Sequence, residues 1–385
     1  MNYKTKYYFL NQSIHYLFKI YAFFYSFKRE KRIIYNYIKY NKISLKNTKN
    51  RVLIIFDLTS QPFNIGDFIL LQEVALILCY EHNFMFSDFA IIQDENSESN
   101  LVEFSKINDD NIIFHLNSIL SIVQVNPNFG SLFLFNSKKQ FNDFFLKNEN
   151  YYHTWPNRRS WLGNDYNYYL ALNDIIFKSY LKNGFIPILK PRFFLIGWVH
   201  EFFINNLFGF IPVTVNLRNN KLFGQHRNSN FEVWEKFLKY CENKYKVKFI
   251  IIGSMQEIDD RLKALKNVIY SKAYNTTIEL DLTLISESAF HIGAPSGPIT
   301  MAWFSDKPYF MFSWDANLNL YNGIIKESDD LLRFPFARID QKITTKKESV
   351  TLLISQFESM YNKIDKEKYL NYNIDVKNKY FSWLR

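Results

Sequence analysis

Short apolar runs alternate with helical segments over residues 211–312, and this alternation restricts the possible folds more than any other feature. The runs at 211–217 (IPVTVNL) and 247–253 (VKFIIIG) are almost entirely apolar, as expected of parallel strands that are covered on both faces. Between them, residues 231–245 carry apolar side chains three or four positions apart, which indicates an amphipathic helix. A second helix is predicted at 278–288, and another strand follows it. This order of elements predicts a doubly wound α/β domain.

The stretch AFHIGAPSGPITMAWFSDKPYFMF, which closes this region, predicts a strand, a tight turn, a short helix and a second buried strand. Gly297 has no Cβ, so its backbone can turn sharply and approach a ligand closely. Pro298 suits the first helical position, where no N–H is needed. Free amides of Ile299 and Thr300, together with the Ser296 hydroxyl, would then form an anion site, most naturally for a diphosphate. A plain connection without a ligand is the alternative.

Other candidate ligand contacts lie at neighbouring strand ends. Ligands of open α/β sheets bind beyond the carboxyl ends of the strands. Arg218 and Gly253 occupy such ends, and we expect Arg218 to be the cationic partner of the diphosphate. Glu257, four residues after Gly253, is a candidate for contact with a ribose. An exposed carboxylate in the first turn of a helix is the alternative for Glu257.

The run DLTLISESAFHIGAPSGPITMAWFSDKP resembles the nucleotide-sugar domain of lipopolysaccharide heptosyltransferases and related GT-B glycosyltransferases. Their pattern is a helix ending in small residues, an apolar strand and then D-[ST]-G-x-x-H-x-A-x-x-x-x-x-P. This chain keeps four residues at the matching spacing, namely Ser296, Gly297, Ala302 and Pro308. It has Pro295 in place of the family's Asp and Thr300 in place of its His. Both family residues face the donor diphosphate.

A second similarity lies at residues 51–71 (RVLIIFDLTSQPFNIGDFILL), where an apolar strand and a polar loop lead to a helix. Heptosyltransferases begin in a similar way, with Gly-Asp at the helix start. The resemblance implies that Asp67 faces the interdomain cleft and is the base that accepts the proton of the acceptor hydroxyl. Asn64 and Gly66 would lie on the acceptor side. A helix N-cap is the alternative role for Asp67, and polysaccharide pyruvyl transferases have an N-x-G-D-like turn as well.

The resemblance covers residues 51–80 and 211–313, and it implies two Rossmann-like doubly wound domains that face a central cleft, the GT-B fold. A chain of 385 residues is long enough for two such domains. Strands of the first sheet are predicted at 87–93 and 131–135, and a helix at 346–360 is the candidate for the last GT-B helix, which crosses back to the first domain. We divide the chain into a basic amphipathic extension at 1–50, an acceptor domain at 51–190, a connection at 191–210, a nucleotide-sugar domain at 211–345, and a C-terminal helix and tail at 346–385.

The first 50 residues carry the whole formal net charge of +10, because they hold eleven of the 47 basic residues and one of the 37 acidic residues. On a helix, the polar residues of this extension form one narrow stripe beside a wide aromatic and aliphatic face. A basic cluster at 28–32 follows. This combination is typical of a helix that lies on an anionic membrane. Packing of the extension on the protein itself is the alternative. We expect a cytoplasmic protein that is peripherally associated with the inner membrane.

Several classes of site are not indicated. No D-x-D motif follows an apolar strand, so neither a metal nor a cofactor is expected. Cys79 and Cys241 lie among apolar neighbours in helical patterns, which indicates core residues in a reducing cytoplasm. No nucleic-acid motif accompanies the basic extension, so no nucleic-acid partner is expected.

The sequence therefore predicts a glycosyltransferase that moves a sugar from a nucleotide-sugar to a cell-surface polysaccharide or lipopolysaccharide acceptor. The resemblance implies an inverting, metal-independent reaction. The expected partners are the nucleotide-sugar donor, a glycan or glycolipid acceptor and the anionic inner membrane surface. A pyruvyl transferase-like enzyme, or a non-catalytic sugar-binding scaffold at the membrane, is the alternative.

Overall fold

The computed structural model describes most of the two predicted domains. The described residues are 50–58, 64–92, 119–156, 168–221, 225–254, 257, 259–314, 323–328 and 330–370. The predicted amphipathic extension lies outside them, apart from Asn50, and so does the tail beyond Leu370.

In the described part of the chain, the first sheet is built from four parallel strands, β1 (Arg51–Asp57), β2 (Phe86–Ile92), β3 (Phe129–Phe135) and β4 (His153–Trp155). Their order across the sheet is β3-β2-β1-β4. β1 is buried from Val52 onward, in agreement with its apolar sequence. The strands predicted at 87–93 and 131–135 are confirmed to within two residues. The order reverses direction between β1 and β4, so the loop after β1 lies at a topological switch point, where ligands of such sheets bind.

Among the described residues, four α-helices accompany this sheet and lead to the next one, namely α1 (Ile65–His82), α2 (Lys138–Asn148), α3 (Tyr168–Asn183) and α4 (Phe193–Asn206), with 3₁₀ turns at Ser121–Val125 and Glu149–Tyr151. α1 is buried continuously from Phe68 to Cys79, which explains why all residues of this stretch except Gln72 and Glu73 are apolar. It ends at Asn83, a residue type that tolerates the left-handed conformation observed there (φ 55°).

The second sheet, as far as the structure describes it, has eight strands, β5 (Ile211–Asn216), β6 (Val247–Ile252), β7 (Val268–Tyr270), β8 (Phe290–Gly293), β9 (Tyr309–Met311), β10 (Ile325–Lys326), β11 (Leu332–Arg333) and β12 (Gln341–Ile343). Their order is β10-β11-β12-β9-β8-β5-β6-β7, and only the pairs that involve β11 are antiparallel. Without β10 and β11, the order from β7 to β12 is the Rossmann order 3-2-1-4-5-6, whose switch point lies between β5 and β8.

The described helices that accompany the second sheet are α5 (Phe231–Glu242), α6 (Asp260–Lys263), α7 (Ile278–Glu287), α8 (Ile299–Trp303), α9 (Val350–Tyr361) and α10 (Lys366–Leu370), with 3₁₀ turns at Gln225–Arg227 and Ser271–Tyr274. The predicted helices at 231–245 and 278–288 are confirmed, and each ends earlier than predicted, by three residues and by one. α9 packs on α5, and its Leu353, Phe357 and Met360 belong to the core of the second sheet. Within the described residues it therefore does not cross back to the first domain, contrary to the expectation for 346–360.

One hydrophobic cluster joins the domain of the first sheet to the domain of the second sheet. It contains α1 side chains such as Phe68 and Leu71 together with Leu282 of α7 and Met301 of α8. α1 packs directly on α8, and the 3₁₀ turn at Ser121–Val125 packs on α7. A separate cluster fills the other face of the second sheet. No helix among the described residues is both long and apolar enough to cross a membrane.

Candidate active site

The turn that follows β8 is in direct contact with the first turn of α1. A Cβ built on Gly297 would lie 2.6 Å from the Cβ of Ile65 and 3.1 Å from the amide nitrogen of Gly66. A Cβ on Gly66 would lie 3.4 Å from Thr300 Oγ1. The two motifs singled out by the sequence are about 230 residues apart along the chain, and the fold brings them together. Gly297 is needed here because only a residue without a side chain permits this close approach.

Asp67 lies in the first turn of α1, at this contact. Its backbone N–H donates to Asn64 Oδ1 (2.8 Å), and Asn64 Nδ2 donates to the Asp67 carboxylate (2.6 Å). Asn64 is therefore the N-cap of α1, and the proposed capping alternative for Asp67 is wrong. Burial raises the pKa of Asp67 to about 6, and the hydrogen bond from Asn64 partly opposes that shift. A carboxyl group with this pKa can accept a proton near neutral pH.

The turn after β8 offers fewer free amides than the sequence indicated. The Thr300 N–H, expected to face a ligand, donates instead to the Gly297 carbonyl oxygen (3.2 Å). Ile299 and Thr300 are buried, and α8 has five residues, with Pro298 just before its first residue. Ser296 and Gly297 remain partly exposed at the surface of this turn.

Ser296 is held by a polar side chain that the sequence reasoning missed. Asn216, the last residue of β5, donates from Nδ2 to Ser296 Oγ (2.6 Å) and to the Ala294 carbonyl oxygen (2.9 Å). Its Oδ1 lies 2.7 Å from His291 Nε2. The signal that points to these residues is a His and an Asn in strands that are otherwise apolar.

Arg218 and Glu257 lie beside each other at the carboxyl ends of β5 and β6. Burial raises the pKa of Glu257 above its usual value. Two smaller effects oppose this shift, namely the N–H that Asn219 donates to Glu257 Oε1 (3.4 Å) and the positive charge of Arg218. The backbone of Arg218 is fixed by two hydrogen bonds with Ser229, of 3.1 and 2.8 Å.

A shallow hollow opens next to Glu257, at the ends of β5, β6 and β7. Its wall combines the aromatic rings of Phe231 and Tyr270 with Gly253, which has a positive φ of 125°. Neighbouring strands are about 4.8 Å apart. The ends of β8, β5, β6 and β7 therefore form a row about 14 Å long that leads from Ser296 past Arg218 to the hollow. Among the residues that the structure describes, no cluster of three His, Cys, Asp or Glu side chains is arranged to hold a metal ion.

Comparisons with known proteins identify the fold. No family model and no curated protein matches the sequence. Among solved structures, the E. coli ADP-heptose lps heptosyltransferase II is similar over 81% of this chain and 99% of its own, with a TM-score of 0.50 and 10% identity. E. coli heptosyltransferase WaaC with ADP covers 81% and 98% (TM-score 0.44, 9% identity). A glycosyl transferase family 9 protein from Veillonella parvula covers 83% and 99% (TM-score 0.45, 12% identity).

The match to heptosyltransferase II, together with the strand orders of both sheets, establishes the architecture. This chain has the two-domain GT-B fold of the lipopolysaccharide heptosyltransferases.

Proposed function

We propose that this protein is a glycosyltransferase that moves a sugar from a nucleotide-sugar to a cell-surface polysaccharide or lipopolysaccharide acceptor. The observation that carries the proposal is the position of Asp67. Its carboxyl group lies in the first turn of α1, which contacts the turn after β8, and its pKa is raised to about 6. Fold alone does not specify an activity, whereas a partly buried carboxylate with a raised pKa at such a point is suited to general-base chemistry.

In the proposed reaction, Asp67 accepts the proton of an acceptor hydroxyl as its oxygen attacks the anomeric carbon of the donor sugar. The bond from that carbon to the diphosphate breaks at the same time, and the nucleoside diphosphate leaves with the electron pair. Attack from the side opposite the leaving group inverts the anomeric centre. Asn64 holds the Asp67 carboxylate, and Gly66, the residue before Asp67, is proposed to lie on the acceptor side.

The donor is proposed to lie along the row of strand ends. The hollow beside Tyr270 would take the base, since aromatic walls favour a flat ring. Glu257 would accept a hydrogen bond from the ribose, and Arg218 would neutralise the diphosphate. Ser296 and Gly297 would contact the diphosphate at its sugar end. Pro298, Ile299 and Thr300 would shape this turn from behind, given their burial.

Nucleotide binding is the first test. Thermal unfolding of the full-length protein is followed with ADP, GDP, UDP and CMP, because a ligand that binds only the native state raises its stability. We expect one nucleoside diphosphate to raise Tm, and Arg218→Ala to abolish the shift. Lys263→Ala, a change at an exposed cation on α6, is the control. The absence of any shift with the wild-type protein contradicts the proposal.

Catalysis is tested with Asp67→Asn. This variant should bind the nucleotide normally and transfer sugar about 10²–10⁴-fold more slowly, the usual contribution of a general base. Because Arg218 is proposed to take the place of a metal ion at the diphosphate, transfer by the wild-type protein should persist in EDTA. Near-native turnover of a folded Asp67→Asn protein contradicts the role of Asp67.

A further inference from the structure

Three polar side chains of the neighbouring strands β5 and β8 are buried inside the second sheet. Thr214 and Asn216 of β5 and His291 of β8 are each at most 1% exposed. Strand pairing places Thr214 opposite His291 and Asn216 opposite Gly293. A Cβ on Gly293 would lie 1.7 Å from Asn216 Oδ1, so the absence of a side chain there leaves room for the amide. Buried polar groups cost free energy unless they are hydrogen-bonded.

The hydrogen bonds among these groups have only one consistent set of directions. The Ala294 carbonyl oxygen can only accept, so the NH₂ group of Asn216 must face it, and Oδ1 must face His291. His291 Nε2, 2.7 Å away, must then carry a hydrogen. Burial lowers the pKa of His291 to about 3, so the ring is neutral and its Nδ1 accepts from Thr214 Oγ1 at 3.0 Å.

These hydrogen-bond directions also fix the role of the Ser296 hydroxyl group. Its Oγ accepts from Asn216 Nδ2 at 2.6 Å, so the hydroxyl hydrogen of Ser296 is not used in that bond. Among the described residues, no acceptor for this hydrogen is found. Ser296 is partly exposed at the end of β8, beside the strand that leads to Arg218. The hydrogen is therefore left to bind a ligand.

We propose that Asn216, held by His291 and Thr214, is a positioning residue that directs the Ser296 hydroxyl hydrogen towards the donor diphosphate. This inference rests on the proposed function, because it assigns the ligand of Ser296. Asn216 itself need not touch the donor. Its effect on binding passes through the Ser296 hydroxyl, and this distinguishes it from a residue that only stabilises the sheet.

The first test is the tautomer of His291 and needs no ligand. The full-length protein is labelled with ¹⁵N-histidine, and the His291 signals are assigned by their loss in His291→Gln. We expect a neutral ring with its hydrogen on Nε2, unchanged between pH 5 and pH 8. A neutral ring with its hydrogen on Nδ1 overturns the proposal, because Nε2 would then accept a hydrogen bond and the amide of Asn216 would have to point the other way.

The second test is a double-mutant cycle on affinity for whichever of ADP, GDP and UDP stabilises the wild-type protein most. Ser296→Ala should weaken binding about tenfold, the usual effect of one hydrogen bond to a charged group. Asn216→Ala should weaken binding by a similar factor in the wild-type background. In the Ser296→Ala background, Asn216→Ala should change affinity by less than about twofold, because residues that act through one bond are not additive.

Asn267 provides the matched control. It is 4% exposed and donates from Nδ2 to the Leu238 carbonyl oxygen (2.9 Å), away from Ser296. Asn267→Ala should lower Tm and leave nucleotide affinity unchanged. Equal losses from Asn216→Ala in both backgrounds would show a purely structural role and overturn this inference alone. Failure of all three nucleotides to bind the wild-type protein would overturn the proposed function, and this inference with it.

Discussion

At the scale of single residues, the raised pKa of Asp67 is expected to lower the free energy of unfolding of the protein. Its pKa is about 6 in the folded chain and 3.8 as an ordinary side chain. Below pH 3.8 it is protonated in both states and has no effect. Between pH 3.8 and 6 the unfolded state is stabilised by ionisation of this group while the folded state stays protonated, so stability falls over this range and levels off above pH 6.

Asp67→Asn should remove this pH-dependent cost. In urea unfolding, we expect the variant to exceed the wild-type protein by about 2–3 kcal/mol at pH 7.5, which corresponds to a pKa difference of about two units. At pH 3.8 and below, the two proteins should be equally stable. A difference that is the same at both pH values would mean that the Asp67 carboxyl group is not buried.

The wild-type rate should follow the ionisation of the same group. A base must be deprotonated, so kcat/KM should rise tenfold per pH unit below about pH 6 and level off above it.

At the scale of elements, the start of α1 separates capping from catalysis. Asn64→Ser keeps a side-chain oxygen that can cap the helix but loses the Nδ2 donor to Asp67. We expect near-native stability and a rate profile displaced to higher pH, because that donor lowers the pKa of Asp67. Asn64→Ala should in addition lose about 1 kcal/mol of stability through the missing cap. An unchanged profile in Asn64→Ser would show that Asn64 does not act on the carboxylate.

The contact between the turn after β8 and the first turn of α1 provides a matched pair of glycine variants. In Gly297→Ala the new methyl group would lie 2.6 Å from Ile65, so these two turns must move apart. Both Tm and nucleotide affinity should therefore fall. In Gly66→Ala the nearest atom is Thr300 Oγ1 at 3.4 Å, which is ordinary contact, and Ala favours a helix by about 0.5–1 kcal/mol. Circular dichroism melts should therefore show opposite changes in the two variants.

The elements that the sequence predicted well are those whose pattern is local. The all-apolar strands β5 and β6 and the periodic helix α5 follow from burial and spacing alone. The intramolecular use of the Thr300 N–H and the packing of α9 on α5 depend on tertiary contacts, which no local pattern encodes. The capping role of Asn64 is of a different kind, because it could be predicted locally: Asn is a favoured N-cap, and Asn64 precedes the first helical residue. The sequence analysis considered capping only for Asp67, as the alternative to its role as a base.

At the scale of the whole molecule, the charge distribution remains a prediction about residues outside the described ones. We propose that residues 1–45 bind the anionic inner face of the cytoplasmic membrane. A variant that lacks residues 1–46 keeps Asn50, whose carbonyl oxygen accepts from the Met85 N–H (2.8 Å), and Arg51, which pairs with Asp88. It should remain folded and bind nucleotide.

In vesicle sedimentation, the full-length protein should bind vesicles that contain anionic lipid and release them as salt is added, since counterions screen the attraction. The shortened variant should stay in the supernatant. Neutral vesicles are the control for apolar binding. Full-length protein that ignores anionic vesicles at low salt would favour the alternative that the extension packs on the protein.

The hydrophobic cluster shared by α1, α7 and α8 has a consequence for how the molecule unfolds. Because Phe68 and Met301 belong to one core, neither sheet can lose its packing while the other keeps its own intact. We expect calorimetry to show a single endotherm whose measured enthalpy equals its van't Hoff enthalpy, in place of the two transitions of independent domains. A motion that separates the two domains would then be almost as rare as unfolding itself. Ligands would therefore have to enter and leave along the exposed strand ends.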